Sequence, residues 1–160
     1  MVRAAVFAAL MAVCAWISIP VLDVAYTMQT FAVFLTLGLL GGKWGTVSIL
    51  IYLLLGMIGL PVFSGFQGGF GALLGITGGY IWGFLGAGLV YWGFEKLCKP
   101  FGIVLAMLCC YLCGSIWFAF YAGSAGFAAA VVKCVIPYLI PDGIKLTLAY
   151  ALSKRLQKYV

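Results

Sequence analysis

Apolar residues fill this chain in long blocks rather than alternating with polar ones, and the blocks are broken by charge, proline or clustered glycine. Those breaks predict helices over residues 3–19, 28–41, 44–60, 77–95, 101–121 and 140–157. Most approach the roughly 20 residues of a bilayer span; the second and third are shorter. Their separator, Gly41-Gly42-Lys43-Trp44-Gly45, predicts a tight turn, because glycine admits left-handed backbone and Lys43 with Trp44 suits a headgroup zone. The two short helices should therefore form a hairpin. The fold class expected is an all-α integral membrane protein, a single domain over residues 1–160 with six transmembrane helices. A glycine-rich external loop joins the third helix to the fourth.

Two stretches break the block pattern. From Pro61 to Tyr80 a glycine falls at nearly every second or third place, with Phe63, Phe66 and Phe70 between them and no charge. Glycines there allow backbone to approach a ligand closely, phenylalanines offer flat apolar walls, and Gln67 offers a donor and an acceptor. The segment reads as a lid, although Gly79 with Gly83 makes a small-xxx-small step suited to helix packing. From Gly123 to Leu139 the chain is too apolar for a solvated loop and too interrupted for a span, which predicts a re-entrant or interfacial helix.

Composition sharpens the membrane reading: 66% of residues are apolar and 8% charged, and no segment resembles a separate soluble lobe. The first run, after Arg3, is longer than a secretory apolar region and is followed by further spans. Met11-Ala12-Val13-Cys14 lacks the small residue that a lipobox places directly before its cysteine. A net charge of +6 would suggest nucleic acid in a soluble protein, but the bases here sit in loops and termini. Counting alternate sides, Arg3, Lys43, Glu95, Lys96, Lys99, Lys154, Arg155 and Lys158 share one side, and Asp23, Lys133, Asp142 and Lys145 the other. Seven of nine bases thus fall together, which by the positive-inside bias puts both termini in the cytoplasm of a plasma membrane. The connections Pro20 to Thr27, Pro61 to Ile76 and Ala122 to Leu139 lie outside.

Little conventional catalytic chemistry is available. There is no histidine, the carboxylates number three, and the run Gly38 to Trp44 has the wrong spacing for a phosphate-binding loop. Neither a catalytic nor a metal centre is expected, and no cofactor. Cys110 and Cys113 form a C-x-x-C beside Cys109 inside an apolar span, where packing is the natural role, as it is for Cys14, Cys98 and Cys134. Asp142 and Lys145 stand apart. Three residues apart, they share a helix face. Ionisable groups at membrane depth cost about 2.5 to 3.5 kcal/mol each on insertion scales and usually mark a pathway or ligand site. With the sixth helix beginning near 140, Lys145 would lie in its first turn, at the unfavourable positive end of the dipole. Half of a pocket and an ion pair anchoring a helix end at the interface both fit the pair alone. The approach to the second helix, Tyr26-Thr27-Met28-Gln29, the glycine and phenylalanine loop, and Pro141 to Lys145 converge on the outer side, which favours a small amphipathic ligand.

Gly59-Leu60-Pro61-Val62-Phe63-Ser64-Gly65-Phe66 through Gly75-Ile76-Thr77-Gly78-Gly79-Tyr80, with Thr27-Met28-Gln29 before and Pro141-Asp142-Gly143-Ile144-Lys145 after, resembles the BioY family across essentially the whole chain. BioY proteins are the biotin-binding S-components of energy-coupling factor transporters. The resemblance implies six transmembrane helices and a substrate-capture subunit of a prokaryotic plasma membrane. Its partners would be biotin, a transmembrane coupling subunit, two ATPase subunits and membrane lipid, with no nucleic acid. It further implies that Asp142 and Lys145 hold the polar part of biotin, with Gln67 near its other end. Thr27, Gln29, Phe63, Phe66, Gly68, Gly69, Thr77 and Tyr80 would complete the pocket and the loop closing over it. Ile76 and Ala25 replace family prolines, which loosens two turns without removing a functional group. Ala4, Ala8 and Ala12 form a small stripe on the first helix that suits close helix packing; the resemblance implies that it docks on the coupling subunit. An S-component would topple in the membrane as its ATPase partners move. The rival readings are an autonomous channel or facilitator and an intramembrane lipid enzyme. A channel would want polar residues lining its cytoplasmic half, and an enzyme an acid and base beyond Asp142 and Lys145.

Overall fold

The structure, a computed structural model, describes residues 1–20, 25–121 and 127–158. Helices dominate it: α1 (Val2–Trp16), α2 (Gln29–Met57), α3 (Phe70–Leu74), α4 (Gly78–Phe94), α5 (Lys99–Tyr121), α6 (Phe127–Cys134) and α7 (Ile136–Leu156). A two-residue ladder, β1 (Ser18–Ile19) with β2 (Tyr26–Thr27), pairs Ser18 with Thr27 and Ile19 with Tyr26. This ladder ends α1 at Trp16, earlier than residue 19, because Ser18 and Ile19 take extended backbone. Asp23 and the first residues after α5, Ala122 to Gly126, lie outside the described residues.

α2 folds back on itself. Gly41 holds φ 75°, ψ 174°, a region open essentially to glycine alone, and reverses the chain between an arm at 29–40 and another at 42–57. Residues far apart in sequence therefore meet: Gly45 packs on Leu37, and the Gln29 side chain reaches the Tyr52 hydroxyl at 2.8 Å. A straight helix would hold those last two about 34 Å apart at 1.5 Å per residue. Glu95, just past α4, accepts from the Gly42 backbone N–H at 2.5 Å. A carboxylate thus sits at the amino end of the second arm, where the helix dipole favours it.

α4 and α5 approach closely at glycine. A Cβ at Gly79 would lie 2.2 Å from Trp117 Cβ, and one at Gly83 3.1 Å from the Cys110 carbonyl, so small residues set this seam. α1 and α7 pack on α2, and α6 lies against α5. The main core gathers Met11, Val33, Leu37, Ile49, Tyr52, Leu53, Phe84 and Tyr91. Among the described residues, α2 and α5 are long and apolar enough to cross a membrane.

Two expectations need correction. The last helix begins at Ile136, not near 140, so Asp142 and Lys145 lie beyond its first turn and the dipole penalty argued for Lys145 does not apply. Pro141 sits inside α7, although proline lacks the N–H that would reach back to the carbonyl of residue 137. The Tyr26 hydroxyl supplies the missing donor, bonding the Pro137 carbonyl at 2.9 Å. That substitution allows the helix to run through the proline. The alanine stripe of α1 also faces the other way: Ala4, Ala8 and Ala12 are buried, at 1%, 0% and 7% exposure, within the chain's own bundle. Close approach of α1 to α2 requires small residues there, so the stripe serves internal packing.

Candidate ligand-binding site

One end of the bundle encloses a cavity of about 350 Å³. Its polar end is built on α7. One helical turn places Asp142 and Lys145 on the same face, with Lys145 Nζ 2.9 Å from Asp142 Oδ1. The Thr30 hydroxyl donates to the same oxygen at 3.1 Å, and the Tyr111 hydroxyl to Oδ2 at 2.9 Å. Lys145 also donates to the Thr27 carbonyl at 2.7 Å and makes a longer contact, 3.5 Å, to Thr30 Oγ1. The pair is thus satisfied by groups from β2, α2 and α5, which offsets the desolvation of a buried carboxylate and a partly buried ammonium. Both face the cavity. An ion pair that merely anchored a helix end in headgroups would face water instead.

The opposite wall comes from the 61–76 connection, which is folded rather than slack. Phe63 is buried, its ring edge-on to Tyr52 with centroids 5.5 Å apart and pressed against Gly56, where a Cβ would fall 2.0 Å from the ring. Tyr52 relays this anchoring. Its hydroxyl accepts from Gln29 Nε2 at 2.8 Å and donates to the Val62 carbonyl at 3.0 Å. A turn over Ser64–Phe66 is closed by the Phe63 N–H bonding the Gln67 carbonyl at 3.0 Å. Ser64, Gly65 and Gln67 reach the cavity. Phe34, Ile81, Phe84 and Met107 supply apolar wall, with Tyr80 and Tyr138 at its side. The Tyr80 hydroxyl is committed to the Cys134 carbonyl at 2.7 Å, and the Tyr138 ring stacks on Tyr26 at 4.4 Å.

Eight of the residues expected from sequence line this space: Thr27, Gln29, Phe63, Gln67, Thr77, Tyr80, Asp142 and Lys145. Three do not. Phe66 points outward, 64% exposed, and stacks on Trp16 at 5.1 Å. Gly68 packs on the Leu60 carbonyl, and the Gly69 N–H bonds the Gly56 carbonyl at 2.7 Å, so both fix the connection from behind. Sequence reasoning passed over Thr30 and Tyr111. Thr30 stands three residues beyond Thr27, and Tyr111 is a tyrosine inside an apolar span, whose hydroxyl needs a partner once buried.

A mostly helical, apolar bundle around a cavity with charge at one end and aromatic walls has the build of a membrane-embedded solute-binding subunit. The chain belongs to the BioY family, whose profile matches residues 1–160. It is 38% identical over 163 residues to the biotin transporter BioY of Thermotoga maritima, covering 99% of this chain and 95% of that one. It is 39% identical over 153 residues to the probable biotin transporter BioY of Pyrococcus horikoshii, covering 96% and 93% of the two chains. Among solved structures, the S-component for biotin from an ECF-type ABC transporter superposes with a TM-score of 0.90 at 25% identity, over 99% of this chain and 90% of the other. Membership of this family makes the chain a prokaryotic membrane protein.

Proposed function

We propose that this chain is the biotin-capturing S-component of an energy-coupled uptake system, binding the vitamin in the cavity beneath the 61–76 connection. The observation that carries the reading is the Asp142–Lys145 pair facing an aromatic-walled cavity within an apolar bundle. The names and coverage of its relatives support it. Biotin presents two N–H donors and a carbonyl on its ureido ring, an apolar bicycle and chain, and a terminal carboxylate. Asp142 accepts from the N–H donors while Lys145 donates to an oxygen. The long contact from Lys145 to Thr30, at 3.5 Å, is the one such an oxygen displaces at least cost. The phenylalanines and Met107 cover the apolar part, and Gln67 meets the far end.

In this reading α1, the two arms of α2, α4, α5 and α7 are the six spans, and the 61–76 connection is the external lid. Both termini lie in the cytoplasm, and the chain works with a transmembrane coupling subunit and two ATPase subunits to carry biotin across. It acts as a transport subunit, not an enzyme. The test is equilibrium binding of labelled biotin to the purified chain in detergent. Asp142→Asn and Lys145→Ala should each weaken binding tenfold or more, the scale of a charge-assisted hydrogen bond at about 1.5–3 kcal/mol. Thiamine and riboflavin should not compete. Unchanged affinity in both variants would remove the pair from the site.

A further inference from the structure

The opposite end of the bundle holds a second cavity, of about 220 Å³, between the 29–40 arm and the ends of α4, α5 and α7. Lys99, the first residue of α5, and Lys154, in the last turn of α7, both line it. Among the described residues neither has an ion-pair partner. Glu95, the carboxylate at this end, is engaged by the Gly42 N–H. Tyr91 also lines the cavity, is 1% exposed, and its hydroxyl has no hydrogen-bond partner among the described residues. The floor is held by Gln157, whose Nε2 donates to the Gly38 carbonyl at 3.0 Å.

We infer that this cavity binds the phosphate of an anionic phospholipid. A cleft lined by two lysines and a tyrosine offers cationic and hydroxyl donors to an oxyanion. Its place in the fold selects a lipid over a free anion. α5 packs on α4 and α7 on α2, and α5 and α7 make little direct contact with each other. Phe101 and Val104 on α5 and Leu152 on α7 are exposed, at 54%, 48% and 38%, on the outer faces of the same helix ends, where acyl chains would lie. Basic pockets between transmembrane helices are a recurrent means of holding anionic headgroups. This site is separate from the candidate biotin cavity and shares no lining residue with it.

Native mass spectrometry of the purified chain, titrated with phosphatidylglycerol or phosphatidylcholine, tests the inference. Phosphatidylglycerol should be retained at least tenfold more strongly than phosphatidylcholine, and Lys99→Gln with Lys154→Gln should abolish that preference. Each single replacement should lower retention about threefold, which serves if the double variant melts early. Millimolar inorganic phosphate should leave the lipid in place. Equal retention by parent and variants would overturn the inference, as would displacement by phosphate, which would mark a site for the free anion. Loss of assembly with coupling partners at unchanged lipid retention would assign the cleft to a protein and overturn it equally.

Discussion

Asp142 accepts three hydrogen bonds, from Lys145, Thr30 and Tyr111, drawn from three helices. Its carboxylate is therefore held in one orientation, and in the proposed site this preorganisation limits the ordering cost of binding. Tyr111→Phe removes one donor and keeps the ring. Biotin affinity should fall about threefold to tenfold, with a loss of thermal stability of about 1–2 kcal/mol from the underbonded carboxylate; titration calorimetry and a melting curve read the two. Asp142 and Lys145 were legible because charge in so apolar a chain has few structural excuses. Tyr111 was not, since the sequence pattern does not reveal whether a tyrosine in a span turns inward or toward lipid.

Turns decide more than helices at the scale of elements. The Gly41 reversal brings Gln29 beside Tyr52, and through Tyr52 the start of the 61–76 connection becomes fixed to the 29–40 arm. Gly41→Ala should destabilise the protein by about 1–3 kcal/mol, because a side chain is strained at φ 75°, ψ 174°. A melting curve in detergent checks this. Tyr26→Phe should cost about 1 kcal/mol by leaving the Pro137 carbonyl without its donor, read in the same assay. The hairpin could be anticipated from the glycine cluster at 41–45, whereas helix continuity through Pro141 could not. The donor that permits it, Tyr26, lies 111 residues before the Pro137 carbonyl it satisfies.

For the molecule as a whole, α1 illustrates how far apolar pattern reaches. Its alanines at spacing four announce a close helix neighbour but not whether that neighbour belongs to the same chain. Burial of Ala8 at 0% answers that it does. Ala8→Trp should consequently overpack the bundle, with a loss of about 1–3 kcal/mol or more in thermal unfolding, instead of sparing the fold while blocking partner assembly. A normally folded variant would contradict this packing. The long helices could largely be read from hydropathy, but not the start of α7 at Ile136 or the short α3 within the 61–76 connection. The cavity could not, because it depends on how residues from both ends of the chain meet.

Trp16 closes α1 by donating to the Pro61 carbonyl at 2.8 Å while its ring lies on Phe66. Both contacts are on the connection that roofs the cavity, yet Trp16 itself does not line that space. That connection is thus tied to α1 from outside the cavity. A change in α1 therefore reaches the cavity wall through Trp16, which lies outside the lining.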